Sequence, residues 1–212
     1  PMLKRICDAI CADPRELARM YDELNDPEVF TICLDLGHVA LCGRRPEDVL
    51  LVAATKMNDA ERVREAVAAG VDACGENKVQ EFLSKKDSLK LDNVEKHLIG
   101  HLQTNKVRKI LGQVDMIQSV DSLHLAQIIS KESEKMGIST DILLEINIGD
   151  EENKTGFDKS EFFESLCAIS ELPSLRVKGM MTIPPICDSN LQLEKYFASM
   201  NEYYHQIKEK SF

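Results

Sequence analysis

The chain has 212 residues, 36 acidic against 26 basic side chains for a formal net charge of −10, and seven cysteines. The acidic balance excludes the basic footprint of a nucleic-acid binder, and no apolar run approaches the roughly 18 residues of a membrane span. An odd cysteine number with no C-x-x-C pair gives no zinc or dithiol motif, and most cysteines read as small buried apolar residues. A chain of this length can bury a full core as one domain. With no basic-then-apolar leader, the expected location is the cytoplasm. Pro1 in place of an initiator Met leaves room for residues upstream.

Residues 1–48 read as an N-terminal helical segment. Ile6, Ile10, Leu17 and Met20 suggest one helix, broken near Asp13-Pro14. Phe30–Cys42 is a second helix or an extended piece. The main domain is expected over 49–212, where strand-like apolar runs alternate with amphipathic helices. Val49–Thr55 is continuous and apolar, the pattern of a strand buried on both faces in a parallel sheet. It ends at Lys56. A lysine there keeps its stem in the core and its amine at the mouth of the fold, where desolvation favours the neutral nucleophile that a Schiff base requires. A snorkelling surface lysine is the plainer alternative for such a residue taken alone.

Asn58 and Glu61 have the spacing of a capping box, Val63, Ala66 and Val67 share a face, and Gly70 stops that helix. A strand over Ala73–Gly75 leads into Gly75-Glu76-Asn77, a composition suited to a strand-to-helix turn. His97–Gly100 is the next strand. On a strand His97 and His101 lie about 13 Å apart, too far to share one ion, so they read as structural or pocket-lining residues and no metal site is expected. Val107, Ile110 and Leu111 form a stripe ended by Gly112. Met116–Val120 is a strand, followed by a helix over 122–136 with Asp121 as its cap and Gly137 beyond it.

Ile142–Ile148 is the fifth strand of the main domain, and Asn153-Lys154-Thr155-Gly156 reads as a turn that carries no second catalytic amine. Asp158 and Glu161 form another candidate capping box, ahead of Phe162, Phe163 and Leu166. Val177–Ile183 is the sixth strand, and Met180 and Met181 alternate between its faces. A last helix from about Asn190 buries Leu193, Phe197, Met200, Tyr204 and Ile207. Repeated βα units imply a parallel sheet with right-handed crossovers, either an open doubly wound sheet or a closed barrel. The first βα turn has no G-x-G-x-x-G, which counts against a dinucleotide site.

Several uncommon strings recur in order: Thr55-Lys56, Gly75-Glu-Asn-Lys-Val-Gln-Glu81, His97-Leu-Ile-Gly-His-Leu-Gln-Thr-Asn-Lys106, Ile146-Asn147 leading to Asn153-Lys-Thr-Gly156, and Gly179-Met-Met-Thr-Ile-Pro184. From about Val49 to about Phe212 this closely resembles the pyridoxal phosphate homeostasis protein family, single-domain relatives of the alanine racemase barrel. The resemblance implies an α/β fold, a TIM-type (β/α)8 barrel of the alanine racemase N-terminal kind, with about six βα units visible. Chemistry would then lie on the loops after the strands, where Lys56, Asn77, Gln103 and Thr182 fall. It implies that Lys56 holds pyridoxal 5'-phosphate as a Schiff base and that Asn77 lies near the cofactor ring. Met180 and Thr182 complete the expected cofactor-binding set, with core packing the alternative for Met180.

The function implied is a cofactor carrier or buffer without robust catalysis and without a catalytic residue. Its partners would be pyridoxal phosphate and, as recipients, apo-enzymes that depend on it, with neither nucleic acid nor membrane. In the racemase relatives a tyrosine from a second domain of the partner subunit moves the substrate proton. Here Tyr21, Tyr196, Tyr203 and Tyr204 all fall in helical patterns. A racemase-like enzyme and a truncated, cofactor-free scaffold are the alternatives. A full barrel needs about 250 residues. The last two strands, with the family's serine-bearing turn and Arg-x-Gly segment for the phosphate, are therefore expected to be missing from these 212 residues.

Overall fold

The computed structural model describes residues 31–32, 52–68, 71–89, 94–152, 154–187 and 189–209. Its strands are β1 (Thr31–Ile32), β2 (Val52–Ala54), β3 (Ala73–Glu76), β4 (Glu95–Leu98), β5 (Met116–Val120), β6 (Thr140–Glu145) and β7 (Leu175–Met181). The helices are α1 (Ala60–Ala68), α2 (Val79–Leu89), α3 (Val107–Ile110), α4 (Leu123–Met136), α5 (Phe162–Ser170) and α6 (Asn190–Glu209), with a 3-10 turn at Thr104–Lys106 before α3.

All seven strands form one sheet in chain order. From β2 to β7 each strand lies parallel to its predecessor, so six consecutive strands are the staves of an α/β barrel sheet. Strand β1 runs antiparallel to β2, with Thr31 opposite Ala54 and Ile32 opposite Ala53. This extended pair stands within Phe30–Cys42, where the sequence allows a second helix or an extended piece. The other expectations for residues 1–48 lie outside the described residues, as do Val49–Leu51 and Gly70.

Three strands begin upstream of their apolar runs. Strand β4 opens with Glu95-Lys96, β6 with Thr140-Asp141, and β7 with Leu175-Arg176. These polar residues belong to the ladder because they satisfy one another at the amino-terminal rim. Arg176 and Lys178 both pair with Asp141, and Lys96 pairs with Asp115. His97 is buried against Glu95 at 2.9 Å and Gln118 at 2.7 Å, the structural role its spacing suggests.

The main core lies between the sheet and the later helices. Leu98, Ile117, Ile142 and Leu144 from the strands meet Ile110, Leu125, Ile129, Phe162 and Ile169 from the helices. Each such side chain contributes about 1.5–3 kcal/mol when fully buried. On α6 the inward stripe is Tyr196, Met200, Tyr203 and Ile207, spaced four, three and four residues apart as one helical face requires. Tyr204, expected inside, is 41% exposed, because it stands one step of the helix away from that stripe.

Helix starts differ from expectation in their capping atoms. Asp59, not Asn58, caps α1: its Oδ1 accepts the amides of Glu61 and Arg62. Ser122 caps α4 through the Leu125 amide, while Asp121 is engaged with His101. Glu161 precedes α5 with no side-chain cap. The exits agree better: Gly137 ends α4 at φ 66° and Gly112 follows α3 at φ 70°, the left-handed conformation that glycine adopts without strain.

Candidate functional site

In a parallel barrel sheet the carboxyl ends of the strands gather the loops that carry function. Two of the expected residues follow neighbouring strands there. Ala54 is opposite Gly75, and Lys56 and Asn77 each lie two residues further on, just past the ends of β2 and β3. The Thr55 amide extends the ladder to the Gly75 carbonyl at 2.9 Å. A Cβ on Gly75 would meet Ile99 and Val52, so these share one face of the sheet at the end of β3.

Lys56 is half-buried in the turn after β2. The next residue, Met57, has φ 62° and a 92% exposed side chain. A non-glycine residue in that region is unusual and must be held there. The holding groups come from the next βα unit. Lys85 on α2 donates to the Thr55 carbonyl at 3.0 Å, to Glu76 Oε1 at 2.9 Å and to Glu81 Oε1 at 2.6 Å. Glu81 in turn accepts the Met57 amide, Thr55 Oγ1 donates to Glu76 Oε1 at 2.7 Å, and Asn58 Nδ2 donates to the Lys56 carbonyl at 3.1 Å. Burial pushes the Glu76 carboxyl above its ordinary range, against hydrogen bonds from Thr55 and Lys85 that pull it down. For Glu81 burial also acts upward, but the bonds from Lys85 and the Met57 amide prevail and hold it below.

Asn77 is half-buried, and its Oδ1 is buried without a hydrogen-bond partner. Asn58 Oδ1 and Glu76 Oε2 are buried likewise, and a polar atom left so within protein costs about 1–3 kcal/mol. Gly100 packs directly on Asn77: a Cβ there would lie 2.4 Å from the Asn77 carbonyl oxygen and 2.7 Å from its Cα. Gly100→Ala is therefore expected to lower stability by about 1–3 kcal/mol and to displace the Asn77 backbone. Urea unfolding measures the first effect, and amide chemical shifts at Asn77 report the second.

The two residues expected on the last strand are placed differently. Met180 pairs with the fully buried Leu144 and packs against the main core, and Thr182 spends its hydroxyl on the Ile146 carbonyl at 2.7 Å. Asn147 organises the loop after β6 by bonding the Glu151 backbone through both ends of its amide. Lys154 pairs with Glu151. An open cleft of about 450 Å³ lies between the loops after β4 and β5, lined by His101, Gln103, Thr104, Asn105 and Asp121 among others. Lys56 does not line it. Among the described residues no cluster of His, Cys, Asp and Glu is arranged for a metal ion, and no helix is long and apolar enough to cross a membrane.

Glu145, at the end of β6, escaped the sequence reading because it closes an apolar run. It is buried and accepts from Thr155 Oγ1 at 2.9 Å. Burial pushes its carboxyl above the ordinary range despite that bond, with Asp121 adding to the rise and His101 opposing it. A carboxyl raised on folding contributes stability below its unfolded pKa and loses it as pH rises through the folded one. Glu145→Gln keeps an acceptor for Thr155 without the charge. It is expected to add about 1 kcal/mol at about pH 8 and nothing at or below about pH 4, as read from urea unfolding at the two pH values.

The fold and the site define a class: a parallel α/β barrel sheet that presents a half-buried lysine and an unsatisfied asparagine at adjacent strand ends. The family described as alanine racemase, N-terminal domain, matches residues 44–212. Among curated relatives, the pyridoxal phosphate homeostasis protein of Aquifex aeolicus is 39% identical over 166 residues, 78% of this chain and 73% of that protein. Its Escherichia coli K12 counterpart is 37% identical over 146 residues, 68% of this chain and 62% of that protein. Among solved structures, PipY of Synechococcus elongatus with PLP bound is 30% identical with a TM-score of 0.73, covering 82% of this chain and 81% of PipY. The chain belongs to the pyridoxal phosphate homeostasis protein family, within the alanine racemase N-terminal fold.

Proposed function

We propose that this chain binds pyridoxal 5'-phosphate through Lys56 and serves cofactor homeostasis in the cytoplasm as a carrier that hands the cofactor to apo-enzymes, without robust catalysis of its own. The observation that carries this is the register of β2 on β3, Ala54 beside Gly75, from whose carboxyl ends the chain runs on to Lys56 and Asn77. The names of the relatives and the cofactor in PipY support it. Lys56 would hold pyridoxal phosphate through its amine, and the cofactor would supply an electrophilic aldehyde carbon there. Asn77 fits as a polar contact to the ring, since its buried Oδ1 has no partner within the protein. Thr182 holds the ends of β6 and β7 together, and Met180 backs that edge from the core.

A racemase needs a base on the far side of the cofactor ring from its lysine. Tyr196, Tyr203 and Tyr204 all stand on α6, and Tyr203 stacks on Phe163 at 5.5 Å. Tyr21 lies outside the described residues.

The test is to incubate the chain with pyridoxal phosphate, reduce with borohydride and map the modified peptide. Label is expected on Lys56. Label concentrated on Lys78, Lys106 or Lys154, with Lys56 unmodified, would sink the assignment.

A further inference from the structure

The two peptide groups on either side of the Lys56 Cα are held from outside the turn. The carbonyl of the preceding group, Thr55 O, accepts from Lys85 Nζ at 3.0 Å. The amide of the following group, Met57 N, donates to Glu81 Oε1. Lys85 and Glu81 are one helical turn apart on α2 and bonded to each other at 2.6 Å. Their ion pair therefore closes a clamp across the two backbone units that determine where the Lys56 side chain leaves the turn. The side chains are largely shielded, at 13% exposure for Lys85 and 20% for Glu81, so their charge-assisted bonds act in a low-dielectric setting. The second carboxylate on Lys85, Glu76, is 2% exposed and is itself bonded to Thr55, which ties the clamp to the end of β3. Met57 lies in left-handed backbone with its side chain in solvent. Its own packing cannot hold it there.

The geometry points to Lys85 and Glu81 as positioning residues for Lys56: a partly buried ion pair in the neighbouring βα unit that fixes the backbone from which the lysine reaches the cofactor. This rests on the reading of Lys56 given under Proposed function. Neither residue needs to touch the cofactor. An ion pair serving only helix α2 would have no reason to engage both peptide groups beside Lys56, thirty residues earlier for Lys85 and the Thr55 carbonyl.

The variants are Glu81→Ala, Glu81→Gln and Lys85→Met in the full chain. Hydrogen exchange at the Met57 amide of the cofactor-free protein reads the clamp directly. Borohydride-trapped label on the Lys56 peptide, at a fixed subsaturating pyridoxal phosphate concentration, reads its consequence. Thermal unfolding accompanies both.

In the wild type the Met57 amide should be protected. Glu81→Ala and Lys85→Met should each cost about tenfold in that protection and in the Lys56 label. Glu81→Gln should restore most of both, because an amide oxygen accepts the same Met57 proton. Equal Lys56 labelling in all four proteins overturns the inference. So does a loss of label that follows the drop in melting temperature across the three variants with no rescue by Gln. A wild-type chain that takes no label on Lys56 overturns the cofactor reading itself, and this inference with it.

Discussion

Lys56→Arg should leave the protein folded and abolish covalent capture of pyridoxal phosphate. The side chain is half-buried in a turn, and no hydrogen bond or ion pair of its amine is among the interactions of the described residues. Arginine keeps the charge and an aliphatic stem, so stability should move by no more than about 0.5 kcal/mol, the range for sites without a special structural role. Guanidinium stays protonated at neutral pH and offers no nucleophilic amine. Covalent capture should therefore fall to the background set by the other lysines. The visible absorbance of the loaded protein and the peptide map after borohydride both check this. A variant that still traps the cofactor as the wild type does would move the reactive amine elsewhere.

Phe162→Ala should be the most damaging single substitution in the described core. Phe162 is fully buried on α5 and has three ring neighbours: Phe157 at 6.3 Å, Phe163 at 5.6 Å and Tyr203 at 5.6 Å. Phe163 adjoins it on the same helix, and Tyr203 comes from α6. Truncation at such a site costs about 3–5 kcal/mol, a large share of the about 5–15 kcal/mol that holds a domain together. Urea unfolding should show a midpoint displaced far downward. Leu191→Ala, at a residue 64% exposed in the first turn of α6, should shift it little. Comparable shifts for the two would contradict the packing described.

Much of this architecture is legible in the chain because local signals and tertiary outcome agree. The six parallel strands overlap the runs read from apolar continuity, β4, β6 and β7 each starting two residues earlier, and β5 begins and ends where expected, at Met116 and Val120. Gly112 and Gly137 end their helices because only a residue without Cβ takes positive φ at no cost. The misreadings have a common cause. Asn58 and Asp59 are both plausible caps, and the choice depends on Asn58 being drawn to the Lys56 carbonyl by the turn it closes. Asp121 is the nearer acid to α4, yet it is claimed by His101 from the preceding loop at 2.7 Å. Tyr203 and Tyr204 are adjacent, and only the position of Phe163 selects the one that faces inward.

The family, the parallel order of the strands and Lys56 as the candidate nucleophile are determined by the sequence alone. Each is written in contiguous residues: an apolar run, a strand-end lysine, a set of strings in fixed order. The clamp around Lys56 is of another kind. Glu81 and Lys85 show in sequence only as an i,i+4 pair of opposite charge on α2, a pattern common on solvated helix faces. Their attachment to Thr55 and Met57 exists only because β2 and β3 pair in register, Ala54 beside Gly75, which brings α2 against the turn before α1. The unsatisfied oxygen of Asn77 and the closeness of Gly100 to it likewise arise where separate βα units meet. Contacts between residues twenty or thirty positions apart follow from strand register and helix packing, and only the tertiary structure decides them.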